Sequence, residues 1–280
     1  MKTEFYVFSG TGNTLRVCTL LSEHLQGLGN DVNIYPLQSD TKLHGESDCI
    51  IVGYPVHAFN APLPVLEFLK RLPNTKRKIP VYFVQTSGEP LKMNFAAFIR
   101  PQRIVRKKGY IVLDGFSYVM PYNILFRHSD GMAARMWNVV KLRAPIEAEM
   151  ISKRQSHLCR VNVLQRSIPF ILRIEHSAMP IVGRYFKVTG DCIGCGLCEK
   201  LCPQGNIVMK DKKPVFGKHC TACMGCAFSC PKDAIRTSIL NGWRVNGKYD
   251  WNAIPTGDNG IGKYCRKSYL KYFRMYERLN

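Results

Sequence analysis

The chain has 280 residues, 46% of them hydrophobic and 21% charged, enough apolar content for about two domain cores and too much for wholesale disorder. Forty basic residues against twenty acidic ones leave a formal charge of +20, spread along the sequence with no basic tail, which suits acidic partners broadly or general solubility with anionic cofactors bound. No apolar run reaches the roughly 18 residues of a membrane-spanning helix, and Met1-Lys2-Thr3-Glu4 leads straight into a strand-like segment. Twelve cysteines without an export signal therefore point to metal or catalytic use in a cytoplasmic protein.

Phe5–Phe8 predicts a first strand, and Thr14–Leu28 a helix with Leu15, Cys18, Leu21 and Leu25 on one face. Apolar runs at Val32–Tyr35, Cys49–Val52, Val81–Val84 and Tyr110–Leu113 predict four further strands, with a short helix at Pro64–Leu72. Such alternation predicts a parallel sheet covered on both faces, a doubly wound α/β domain. Residues 121–144 then turn irregular, aromatic and basic. Leaving the carboxyl edge of the sheet after strand five, they read either as cover for a ligand site that also docks a second module, or as an ordinary core excursion. Pro145 suits a first helical turn, and Glu147 and Glu149 sit where the dipole welcomes negative charge, so a helix is predicted from Pro145 towards Arg166. Pro169 and Pro180 mark 168–187 as an apolar connector.

Between the first strand and helix lies Ser9-Gly10-Thr11-Gly12-Asn13-Thr14. It lacks the last glycine of a dinucleotide fingerprint, where Leu15 stands, and the lysine of a Walker loop. What it offers is backbone N–H groups, the hydroxyls of Ser9, Thr11 and Thr14, and a helix N-terminus, which together hold a phosphate without a cationic side chain. This glycine loop resembles that of the flavodoxins, whose strand order 2-1-3-4-5 would, by that resemblance, put a ligand where strands 1 and 3 diverge. The loops after strands three and four would flank it, with Tyr54, Pro55 and Phe59 from one and Thr86, Ser87 and Gly88 from the other. His57 reads as a loop residue or as a proton donor.

One internal repeat is present: Cys192, Cys195, Cys198 and Cys202-Pro203 recur 28 residues later as Cys220, Cys223, Cys226 and Cys230-Pro231. Thiolates are soft ligands for iron–sulfur clusters, zinc and Cu(I). A structural zinc site prefers CxxC pairs separated by a longer gap, whereas here two four-cysteine runs are intact. Gly194, Gly196 and Gly225 suit a backbone turning tightly around an inorganic core. Cys18, Cys49, Cys159 and Cys265 lie outside the repeat and read as structural.

The repeat resembles the two-cluster bacterial ferredoxins over about fifty residues, C-x2-C-x2-C-x3-C-P being their spacing. In that pattern the fourth cysteine crosses to the other cluster. The resemblance thus implies one [4Fe–4S] cluster on Cys192, Cys195, Cys198 and Cys230, and a second on Cys220, Cys223, Cys226 and Cys202. The glycine loop resembles the flavodoxin phosphate loop, implying FMN with its phosphate on Ser9, Gly10, Thr11, Gly12, Asn13 and Thr14. Tyr54, Pro55, Phe59, Thr86, Ser87 and Gly88 would then meet the isoalloxazine, although the Trp and Tyr that flavodoxins usually place there are lacking, the first Trp being Trp137.

Taken together, the modules resemble a family of flavodoxin–ferredoxin fusion proteins. Implied is a flavodoxin-like domain over 1–167, the connector 168–187, an α+β ferredoxin domain over 188–240 and a basic extension over 241–280. The function implied is electron transfer between FMN, two [4Fe–4S] clusters and an acidic redox protein. The alternative is a flavin-dependent reductase of a small substrate fed by its clusters. Charge alone would support nucleic-acid binding, which is not expected. Near the end, Lys263, Tyr264, Arg266, Lys267, Tyr269, Lys271, Tyr272 and Arg274 suit either a docking patch or a solvated helix face.

Overall fold

The computed structural model describes residues 1–44, 46–156, 167, 170–254 and 266–279. Five strands, β1 (Lys2–Val7), β2 (Asp31–Pro36), β3 (Cys49–Pro55), β4 (Pro80–Ser87) and β5 (Ile111–Val119), form one sheet in the order β2-β1-β3-β4-β5. Every pairing in it is parallel. Successive side chains of a strand point to opposite faces. Tyr6, Phe8, Ile50, Val52 and Phe83 therefore meet α2 (Leu63–Arg71) and α3 (Ile99–Lys107) on one side. On the other side Phe5, Val7, Ile51, Tyr82 and Val84 meet α1 (Asn13–Gly27) and α4 (Asp130–Ser152). Both faces are covered, which is why the strands read as near-continuous apolar runs. This is the flavodoxin-like arrangement.

Three expectations about helices need correcting. The buried face of α1 is Thr14, Val17, Cys18, Leu21 and Leu25, and Leu15 is 41% exposed. The irregular stretch ends at residue 129, where Ser129 caps α4 by accepting from the Met132 N–H at 3.2 Å. Pro145 consequently lies inside a helix that began fifteen residues earlier, and Glu147 sits in its core-facing side. There the Arg143 guanidinium donates to Glu147 Oε1 from Nη2 at 2.6 Å and from Nε at 2.9 Å, while Tyr118 Oη also donates to Glu147. Residues 157–166, into which the helix was expected to run, lie outside the described residues, as do Cys159, Lys263, Tyr264 and Cys265.

The stretch read as a connector contains α5 (Ile174–Arg184), with Pro180 inside it. The cysteine repeat follows in two like halves. β6 (Lys187–Val188) pairs antiparallel with β9 (Ile235–Arg236), and β7 (Ile207–Lys210) forms a hairpin with β8 (Lys213–Phe216). The one-turn helices α6 (Leu197–Lys200) and α7 (Gly225–Phe228) occupy matching places in the repeat. Finally α8 (Arg266–Tyr276) returns to the first domain. Its aromatic residues are not a solvated face: Tyr269, Tyr272 and Phe273 are buried against Val119, Met132, Met136 and Val139, leaving Lys267, Lys271 and Arg274 outside. No helix among the described residues is long and apolar enough to cross a membrane.

Candidate functional site: a cavity between the two modules and two cysteine-lined hollows

The carboxyl ends of four parallel strands open on one cavity of about 480 Å³. Ser9, Gly10, Thr11, Asn13 and Thr14 line it after β1, Pro55 to Phe59 from the end of β3 onward, Thr86 to Glu89 from the end of β4 onward, and Met120 to Leu125 after β5. Its far wall comes from the ferredoxin side, from Glu175 and Met179 of α5 and from Ala222, Leu240 and Trp243. The size falls within the roughly 300–1,000 Å³ of ligand pockets, and the position is the topological switch between β1 and β3.

The loop after β1 is built to meet an anion. Gly12 caps α1 with φ +91°, a left-handed conformation that suits glycine. The first-turn N–H groups of α1 have no carbonyl partners within the helix, and Asn13 and Thr14 of that turn line the cavity. Of the predicted phosphate ligands, three side chains are engaged within the protein. The Thr14 hydroxyl is 2.7 Å from that of Thr86, and Asn13 Nδ2 donates to the Pro121 carbonyl at 2.8 Å. Ser9 Oγ accepts from the Leu15 N–H at 3.3 Å. The loop therefore presents backbone donors and the Thr11 hydroxyl, with Thr14 and Asn13 fixing its position against the neighbouring loops.

Tyr54 is corrected: it is fully buried, its ring lies between Phe83 and Phe98, and its hydroxyl donates to the Ala97 carbonyl at 3.3 Å. The alternation of β3 turns it into the core. Phe59 does line the cavity. It follows Ala58 in a two-residue turn closed by His57 N–H to Asn60 O (2.9 Å) and Asn60 N–H to His57 O (2.7 Å). Both turn residues have positive φ, 42° and 61°, local strain of the kind that collects at functional loops. Sequence reasoning missed Trp243, which supplies a tryptophan from the other module. It also missed the Tyr122–His128–Tyr269 chain. In that chain the Tyr122 N–H donates to His128 Nδ1 at 3.3 Å, so Nε2 carries the proton towards Tyr269 Oη, and Tyr269 Oη donates to the Gly88 carbonyl. His128 is 1% exposed, and burial holds its pKa down at about 4.

The eight repeat cysteines line two small hollows. Cys192, Cys195, Cys198 and Cys230 line one; Cys202, Cys220, Cys223 and Cys226 line the other. Each hollow thus takes three sulfurs from one half of the repeat and one from the other half. Cys202 Sγ accepts from the Asn206 N–H and Cys230 Sγ from the Ala234 N–H, both at 3.3 Å and at equivalent places in the repeat. Backbone N–H···S bonds of this kind tune cluster potentials. Burial pushes the Cys223 thiol up to about 12 and raises that of Cys226 further. Such thiols stay neutral unless a cation takes the place of the proton, which is what coordination does. The donor set fits iron–sulfur clusters. Gly194 and Gly196 have φ +67° and +71°, as a tight loop requires, whereas Gly225 is needed for a different reason. A Cβ there would lie 2.5 Å from the Gly10 carbonyl oxygen, so the two modules touch backbone to backbone. Cys18 and Cys49 are fully buried, as expected of structural thiols.

Residues 191–235 match the model of the 4Fe-4S dicluster domain. An uncharacterized ferredoxin of Methanocaldococcus jannaschii is 35% identical over 54 residues, 18% of this chain and 70% of that protein. The chain belongs to the ferredoxin family through this segment. A polyferredoxin of Methanothermus fervidus is 39% identical over 46 residues, 16% of this chain and only 11% of that protein. Among solved structures, a flavodoxin from the domain Archaea is similar with a TM-score of 0.39 and 19% identity, covering 54% of this chain and 99% of that one. A Streptococcus pneumonia flavodoxin gives 0.37 and 19%, covering 42% and 84%. The chain thus joins a 4Fe-4S dicluster ferredoxin segment to a flavodoxin-like sheet.

Proposed function

We propose that this ferredoxin fusion relays electrons between FMN in the intermodule cavity and two [4Fe–4S] clusters, one on Cys192, Cys195, Cys198 and Cys230 and one on Cys202, Cys220, Cys223 and Cys226. One observation carries the reading. Ala222 lines the large cavity and its neighbour Cys223 lines a cysteine hollow, so two cofactor sites share a wall one residue thick. FMN supplies chemistry that joins pairwise and single-electron transfer, while each cluster passes one electron. The chain positions these groups. Backbone donors after β1 hold the phosphate, the loops after β3 and β4 hold the ring, and Trp243 with Phe59 shields it from water.

The test is an anaerobic preparation assayed for flavin and metal. One FMN and roughly eight irons per chain are expected, and colourless or zinc-loaded protein would overturn the proposal. One feature favours the alternative of a reductase for a small substrate. A second cavity of about 360 Å³ shares His57, Glu175 and Met179 with the first, giving a small molecule a way to the flavin. Flavin reoxidation that requires an added small acceptor, and no protein, would select this alternative.

A further inference from the structure

We infer that the two cysteine sets have fixed and different places in the relay. The set of Cys202, Cys220, Cys223 and Cys226 is the flavin's neighbour, and the edge around Ile193 and Cys195 is the port where an acidic one-electron carrier protein docks. The inference rests on the reading of the cavity as a flavin site and of the two sets as cluster ligands.

The inner position of the first set follows from contacts. A Cβ on Gly10, in the anion loop, would lie 2.4 Å from the Cys223 carbonyl oxygen and 2.7 Å from Cys223 Cβ. Asn123 Nδ2, from the loop after β5, donates to that same carbonyl at 3.2 Å. On the flank away from the flavin, the Gly183 backbone lies against Cys220. These cysteines are only partly exposed and are enclosed by both modules.

The other set opens outward. Cys195 is exposed, the one cysteine of the eight to be so, and Ile193 beside it is 60% exposed. An exposed sulfur next to an isolated apolar side chain gives a carrier both a short path to the cluster and a small dry contact. The surrounding charge is one-sided. The tip of the β7–β8 hairpin places Lys212 against Gly194, and Lys232 lines the hollow of Cys195; both lysines are exposed. Of the neighbouring acids, Asp233 is paired with Arg244, while Asp191 and Glu199 accept from uncharged donors, Thr189 Oγ1 and the Met209 N–H, both at 2.8 Å, and keep their charge. Together with Asp211 they are outnumbered in this segment by Lys187, Lys200, Lys210, Lys212, Lys213 and Lys232. A negative partner is therefore attracted to this edge, and the attraction reaches about one Debye length, roughly 10 Å at 0.1 M salt.

With clusters bound, Cys192, Cys195, Cys198 and Cys230 would hold the group that receives one electron from a reduced carrier, and Cys202, Cys220, Cys223 and Cys226 would hold the one beside the flavin loop. Full reduction of a bound flavin would take two such deliveries, each oxidising one carrier, and two protons from water.

The test uses the anaerobic holoprotein mixed with dithionite-reduced plant-type [2Fe–2S] ferredoxin as the acidic carrier, with flavin absorbance followed in stopped flow. The double variant Lys212→Glu/Lys213→Glu should slow flavin reduction about tenfold or more at low salt, with the difference vanishing at high salt. Direct reduction by dithionite and the bound flavin and iron should stay unchanged. Lys267→Glu/Lys271→Glu on α8, of equal charge change, should leave the rate alone. A slowing in the α8 variant but not in the hairpin variant would overturn the port. Cys195→Ser, which disrupts the outer cluster, should abolish reduction by the ferredoxin, and an unimpaired rate there would overturn the order of the clusters. A wild-type holoprotein that binds no flavin, or whose flavin no one-electron donor reduces, would instead bring down the functional reading on which both rest.

Discussion

A single methyl group at Gly225 should prise the modules apart. Its Cβ would stand 2.5 Å from the Gly10 carbonyl oxygen, and ordinary contact begins at about 3.4 Å. The obstacle is backbone in the anion loop, so no side-chain rotation relieves it. Overpacking of this kind costs about 1–3 kcal/mol. Opposing it, alanine within α7 gains about 0.5–1 kcal/mol over glycine in helix propensity. The clash outweighs it over most of that range, leaving a net loss of up to about 2.5 kcal/mol shared between the interface and the loop. At 1.4 kcal/mol per tenfold, the part that falls on the loop weakens FMN binding by up to about 60-fold, and the rest appears in the urea midpoint. The assay is anaerobic titration of the cluster-loaded, flavin-free protein with FMN, read by flavin fluorescence. Gly190→Ala is the control, because a Cβ there meets nothing within 4 Å. Wild-type FMN affinity and an unchanged urea midpoint for Gly225→Ala would refute the shared wall.

Arg143→Ala strands the Glu147 carboxylate in the core and should cost about 3–5 kcal/mol in urea unfolding, whereas the joint change Arg143→Met/Glu147→Leu should cost much less. His128 titrates at about 4 in the fold against 6.5 as a free side chain. Between those values the unfolded chain binds the extra proton, so the stability His128 contributes is complete above pH 6.5 and is lost as pH falls towards 4. His57, also held near 4 by burial and by His176, acts with the same sign. The drop in Tm from pH 7 to pH 5 should therefore shrink in His128→Phe, and an undiminished drop would contradict the assignment. Thr14→Val removes the 2.7 Å hydroxyl pair with Thr86 and should cost about 1 kcal/mol in stability while loosening FMN, both readable by titration and urea unfolding.

Local pattern carried much of this. The five strands were legible because a sheet buried on both faces forces apolar residues at every position, and the cysteine repeat because soft ligands at fixed spacing have few other uses. What pattern could not show was depth. Tyr54 looks from its place after the apolar run Cys49–Val52 like a residue of the ligand loop, yet β3 continues through it and one step along a strand reverses its face. Pro145 resembles a helix start because a proline in mid-helix is rare, and only the Ser129 cap sixteen residues earlier, together with the Arg143–Glu147 pair, shows otherwise. The aromatic residues of α8 and the tryptophan at 243 take their roles from partners more than a hundred residues away in the sequence, to which no periodicity points. Gly225 was recognised as necessary, but as a turn residue; its neighbour Gly10 is contributed by the other module.

Tyr269 reaches from α8 to the Gly88 carbonyl, so a segment translated after the ferredoxin module props the loop that follows β4. On the ribosome, that loop has its ties to Asn94 and Tyr122 early but lacks this one until residue 269 has left the exit tunnel. By then the cysteine halves have already emerged, so the last brace on the cavity wall is set after both halves of the repeat are available.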